Sequence, residues 1–197
     1  MCNDMRLKAG LDYIQETFSQ LKLPLRFPGG RPNFPPRDDI RITDTSPIVR
    51  LGDDGGLALE MMRWSWPGPR GAPVFNFRSE GRRFEKGRCL ILADGFYEFT
   101  GVKSPKTKWL FTVADAPLFA IAGYVREGAA DGQDAWTMLT CPPGPDVAPY
   151  HDRQIVVLRP SQWADWMTHA ENEAALLRAL PAGSLRVEQV GGGGVVV

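Results

Sequence analysis

Cysteine and histidine are scarce in this sequence, with three of one and two of the other in 197 residues. Cys2, Cys89 and Cys141 lie far apart with no CxxC pair, which argues against a zinc knuckle and against a secreted disulfide scaffold. Reduced thiols, no metal and a cytoplasmic location (nucleoid-associated when bound to DNA) are the expectation. Net charge is also missing: 23 Lys and Arg balance 23 Asp and Glu. Any affinity for nucleic acid must therefore come from a local patch and not from the field of the whole molecule. No apolar run reaches the ~20 residues of a membrane-spanning helix, and the amino terminus lacks a signal-peptide core. No membrane association is expected.

What is present fits a folded domain, with 43% hydrophobic residues and enough length to bury a core. Leu7, Leu11, Ile14, Phe18 and Leu21 recur at spacings of four and three, the stripe of an amphipathic helix. The Pro- and Arg-rich segment 24–39 is expected to be irregular, and 66–73 to be a loop. Strands are expected at 57–64, 89–93, 96–100, 108–113, 118–125, 135–140, 155–158 and 185–190. Asp94-Gly95 is a strong turn pair between two of them. Ser161 is placed to cap a helix carrying Trp163, Trp166 and Met167, with a second helix over 171–180. Many strands with few helices and no βαβ alternation give an α+β class. One compact domain over 1–190 is expected, with 191–197 as a flexible Gly/Val tail.

Few residues have the chemistry for a reaction. Cys2, once Met1 is removed, offers an α-amine and a thiol on neighbouring carbons. That amine titrates near 7.7–8.0, against roughly 10.4 for a lysine, so much of it is neutral and nucleophilic at physiological pH. It condenses with an aldehyde to an imine, and the thiol closes a thiazolidine ring. Taken alone, a cysteine at position 2 arises readily by chance. Glu98 sits between aromatics on an expected strand. It is either a buried carboxyl with raised pKa, fit for general acid work, or a strand residue facing water; the pattern leaves both open. In Phe75-Asn76-Phe77-Arg78, Asn76 and Arg78 share a face. His151 stands at a loop-to-strand boundary; His169 has the look of a helix-end or surface residue. Arg78, Arg82, Arg83, Lys86 and Arg88 form a basic cluster near Trp64, Trp66 and Phe99. It is read as a phosphate-tracking groove with stacking platforms or as a solvated charged loop.

Several short motifs occur together and in order. They are Met1-Cys2, Asn33-Phe34-Pro35-Pro36, Met62-Arg63-Trp64, Asn76-Phe77-Arg78-Ser79-Glu80, the segment 88–99, and His151-Asp152-Arg153. In this the chain resembles the SRAP family, the SOS response-associated peptidase-like proteins that crosslink to abasic sites. The resemblance spans residues 1 to about 167. It implies a compact domain around curved, barrel-like β-sheets. It also implies Cys2 as crosslinking nucleophile, with Asn76, Glu98 and His151 completing the active site. Arg78 and Arg153 would be phosphate contacts, with Trp64, Phe99 and Pro36 at the DNA groove. The implied partner is single-stranded DNA carrying an abasic site, with a monomeric protein and no cofactor. The chain departs from the family at several places. Asn3-Asp4 follows Cys2 where Gly-Arg is usual, with Arg6 as a possible substitute. Phe99 stands for Trp, and Gln154-Ile155 for Met-Pro.

Three other readings were weighed. A cysteine peptidase would use Cys2 as nucleophile, His151 as base and Asn76 as orienter. A non-catalytic module would bind intact and abasic strands alike. A metal site of Cys89, Cys141 and His151 is opposed by their scattered spacing.

Overall fold

A computed structural model of the chain describes residues 2–168 and 173–192. Five of its strands form a closed circuit. Leu57–Trp64 pairs with Thr45–Leu51, and that strand with Arg88–Ala93. Phe119–Ala130 and Gln133–Cys141 follow, each antiparallel to the last. The seam closes in parallel, Ala135 opposite Arg63 and Trp136 opposite Trp64. Closure leaves no unpaired edge within the ring. It also explains the unbroken run Arg88-Cys89-Leu90-Ile91-Leu92-Ala93, all six of which are buried. A strand covered on both faces shows no polar alternation.

The indole rings of Trp64 and Trp136 stack at the seam, 5.1 Å apart. Trp136 Nε1 donates to the Met62 carbonyl and Trp64 Nε1 to that of Phe75. Past the seam, the chain leaves Gln133–Cys141 and returns to the same edge as Asn76–Arg78, again in parallel, Asn76 opposite Met138. The intervening segment is not the plain loop expected: Trp66–Pro67 pairs with Pro73–Val74 in a small hairpin, and Trp66 is buried.

A second sheet runs in the order Leu185–Gly191, Thr107–Val113, Gly95–Thr100, Asp4–Leu7, Arg37–Arg41. Asp94-Gly95 does not turn a hairpin, because Arg88–Ala93 and Gly95–Thr100 belong to different sheets. It is a corner. The Asp94 carboxylate accepts Arg6 Nε–H at 2.7 Å and the Ala9 N–H at 3.1 Å, and its own N–H donates to the Arg6 carbonyl. A Cβ on Gly95 would come within 2.7 Å of Leu110 Cδ1, so any larger residue at the bend would have to push that side chain aside. Asp4–Leu7 and Arg37–Arg41 escaped the sequence reading. The second is an outer strand whose charges suit a sheet edge.

The expected first helix runs from Leu11 to Gln20 and buries Ile14 and Phe18, the latter stacked on Trp163 at 4.6 Å. Leu7, assigned to its stripe, lies in a strand. Ser161 sits in a 3-10 turn, Pro160–Gln162, and it is Gln162 that occupies the N-cap position of the helix Trp163–Met167, without a side-chain capping bond. The expected helix over 171–180 is described only as Glu173–Leu176; His169 and residues 193–197 of the expected tail lie outside the described residues. The described residues form an α+β domain with a barrel core and three short helices.

Candidate active site

Strand pairing brings the beginning of the chain to the middle of Gly95–Thr100. Met5 lies opposite Phe96 in an antiparallel register, which carries Cys2 toward Glu98 and Phe99. Cys2 is buried, and its thiol donates to the Asp4 carbonyl at 3.3 Å. Burial, and then the charge of Glu98, push that thiol far above its ordinary pKa. Asn76 Nδ2 donates to the Cys2 carbonyl at 3.0 Å. Its Oδ1 is buried and has no hydrogen-bond partner among the described residues. Glu98 is 1% exposed. Burial raises its carboxyl to about 7, against the pull of the amino-terminal charge and of a hydrogen bond to the Cys2 backbone. Of the two readings left open for Glu98, the buried one holds.

His151 ends a loop tied down at both ends. Its N–H donates to the Val147 carbonyl, and the Gly144 N–H donates to Gln154 Oε1 at 2.6 Å. Tyr150 packs edge-on against Trp109 and Phe111 of the second sheet. His151 Nδ1 accepts the Arg153 N–H at 3.0 Å and lies 2.8 Å from Asp152 Oδ1. The two contacts ask for different protonation states. Burial, with the amino-terminal charge, holds the ring below its ordinary pKa, and the Asp152 side chain is 90% exposed and well screened. The neutral ring with Nδ1 as acceptor therefore prevails, leaving the proton on Nε2. The charge of Asp152 adds to the rise of Glu98, so the loop bearing His151 lies within electrostatic reach of that carboxyl.

The other expected residues divide. Arg78 is exposed at the end of the strand bearing Asn76. Phe99 is half-buried and lines a depression of about 690 Å³ with Asn3, Asp4, Arg41, Lys106 and Lys108. Pro36 is exposed just before Arg37–Arg41. Trp64 must be corrected: it is fully buried at the barrel seam and presents no surface to a base. Trp66 is likewise buried. Arg88 leaves the basic cluster, since it is buried, bonded to the Phe84 and Trp166 carbonyls and paired with Glu173. Arg6, the possible substitute for a missing basic residue at position 4, is committed to Asp94. Arg153 is not an open phosphate contact either, because Glu80 holds it through both carboxylate oxygens.

The family profile of the SOS response associated peptidases, SRAP, matches residues 1–192. This chain belongs to the SRAP family. An abasic site processing protein of Bacillus subtilis, YoqW, is 31% identical over 98 residues, 47% of this chain and 43% of that protein. Another from Saccharomyces cerevisiae, YMR114C, is 30% identical over 88 residues, 44% of this chain and 24% of that protein. The match thus spans less than half the length of either relative. A crystal structure of a protein from Bordetella bronchiseptica has the same fold, with a TM-score of 0.70 and 23% identity over 97% of this chain and all of that one.

In this SRAP domain some residues around the site carried no sequence signal. Lys108 Nζ bonds Asp4 at 2.9 Å, is shared with Asp39, and lies 3.8 Å from the centre of the Tyr97 ring. It supplies a cation beside Asp4. Only the register Phe99↔Lys108 reveals it, because nothing in the local pattern marks it. Gln154 was noted only as a departure; its role is to brace the loop before His151. Among the described residues no group of three or more His, Cys, Asp or Glu is arranged to hold a metal, and no helix is long and apolar enough to cross a membrane.

Proposed function

We propose that this chain, after removal of Met1, captures abasic sites in single-stranded DNA as a thiazolidine on Cys2. One observation carries the reading: Asn76 and Glu98 both engage the main chain of Cys2, the segment whose nitrogen becomes the nucleophile. His151 assists opening of the deoxyribose hemiacetal, exposing the C1′ aldehyde. The Cys2 amine adds to it, with the unpartnered Asn76 Oδ1 as an acceptor for the amine N–H. Glu98, protonated for much of the time near neutrality, donates to the departing hydroxyl, and one water leaves. The thiol then adds to the imine carbon, its proton passing to nitrogen. Fixing amine, thiol and aldehyde together replaces a bimolecular search with an intramolecular step. No cofactor or metal is required, and a monomer suffices. The names of the relatives, abasic site processing proteins, support the substrate class.

The peptidase alternative needs a thiolate formed beside an imidazole. Here the sulfur is buried beside a carboxylate, which disfavours its anion. The amine is the better first nucleophile. Incubation with an oligonucleotide bearing one abasic site should give a heat-stable shifted band on a denaturing gel. Intact-mass measurement should show Met1 absent. Equal crosslinking by Cys2→Ala would sink the mechanism.

A further inference from the structure

Of the two arginines assigned to phosphate, Arg153 already has a tenant. Glu80 grips Arg153 through both oxygens, one at 2.8 Å from Nη2. Arg78 pulls electrostatically on the same carboxylate. The hydrogen bonds from Arg153, with Arg78 as the smallest contribution, hold it well down, at about 2, so it stays ionised at any working pH. The base of this arrangement is rigid. Arg153 Nη2 also donates to Thr140 Oγ1 at 3.0 Å. The Ser79 N–H and hydroxyl both bond the Thr140 carbonyl, each at 2.9 Å. Arg153 Nε is buried and has no hydrogen-bond partner among the described residues. Of this pair Glu80 is the partner open to solvent, its side chain 44% exposed against 12% for Arg153. Arg78 is two residues along the strand from Asn76, a rise of about 7 Å, which sets this pair of cations one short step from Cys2.

We propose that Glu80 is a built-in stand-in for a strand phosphate, a carboxylate that occupies the Arg78–Arg153 anion site and must swing out when DNA binds. The inference rests on the proposed function for the identity of the strand. A carboxylate fork and a phosphate present the same pair of acceptors to a guanidinium, so one replaces the other with little movement of Arg153. The exchange lowers affinity for undamaged single strands, since each encounter must first break an ion pair. It also keeps Arg153 ordered while the groove is empty.

The test uses Glu80→Gln and an intact pyrimidine oligonucleotide, with binding followed by fluorescence anisotropy across a salt series. The variant should bind at least about threefold tighter at low salt. Its plot of log K against log salt should keep the wild-type slope, because Arg153 meets the phosphate in both proteins and only the competing carboxylate is gone. Arg153→Ala added to Glu80→Gln should abolish the gain. Unchanged or weaker binding by Glu80→Gln overturns the inference, because Glu80 would then only orient Arg153. Inorganic phosphate separates the sources. Thermal stabilisation of Glu80→Gln by phosphate without tighter oligonucleotide binding identifies a site for free anions and overturns the role for DNA. Covalent capture of an abasic oligonucleotide is scored separately. Tighter binding with no crosslink by any variant leaves Glu80 as inferred and refutes the proposed function; crosslinking with unchanged binding does the reverse.

Discussion

Glu98 is the residue where burial and chemistry meet most directly. Its carboxyl titrates near 7 in the folded chain, against about 4.3 in an exposed peptide. A folded-state pKa above the unfolded value means that the native state holds the proton longer. The associated stability is complete below about 4.3 and is lost as pH rises through 7. Glu98→Gln, neutral throughout, should therefore match wild type in thermal stability at pH 4 and exceed it at pH 8. Its crosslinking rate should fall at least tenfold near neutrality, and the wild-type inflection near pH 7 should vanish from the pH–rate profile. A variant that keeps that inflection would clear Glu98 of the acid role. Nothing in the pattern Phe96-Tyr97-Glu98-Phe99 distinguished a buried Glu from an exposed one. What decides it is the arrival of the strand Asp4–Leu7 alongside, a long-range event invisible to local periodicity.

At the scale of elements, aromatic residues illustrate the same limit. The motif Met62-Arg63-Trp64 and the resemblance it carries imply Trp64 at the DNA groove. The parallel pairing of Leu57–Trp64 with Gln133–Cys141 draws it inside instead. Trp64→Ala should cost about 3–5 kcal/mol of stability, measured by urea unfolding, as removal of a large core aromatic does. The salt dependence of DNA binding by the folded variant should not change. A variant that kept wild-type stability while losing DNA affinity would restore the original reading. Elements with strong period or unbroken apolar runs, such as 57–64 and 89–93, were legible within a residue or two. The outer strand Arg37–Arg41 was hidden by its charges, and Asp94-Gly95 was legible as a bend but not as a passage between sheets.

For the molecule as a whole, balanced charge bears on the strand binding proposed for it. With no net charge, long-range attraction is weak and each local cation counts. Removing exposed Arg78 should lower the salt slope of single-strand binding by about 0.7, and weaken binding to all sequences alike. An unchanged slope would take Arg78 out of the phosphate contacts. The candidate site residues were picked out largely through ordered short motifs. Cys2, Asn76, Glu98 and His151 come from four distant stretches, and only the meeting of the two sheets assembles them. Lys108 and the hold of Glu80 on Arg153 were not legible, because cross-strand partners leave no mark on local sequence.

The barrel seam and the Asn76 strand are clamped to successive stretches of one neighbour, so the chain between Trp64 and Phe75 departs from and returns to a common rail. Residues can be added to or deleted from the tip between Pro67 and Pro73 without shifting either anchor. That excursion is a position where this chain tolerates a change of length while Asn76 keeps its place beside Cys2.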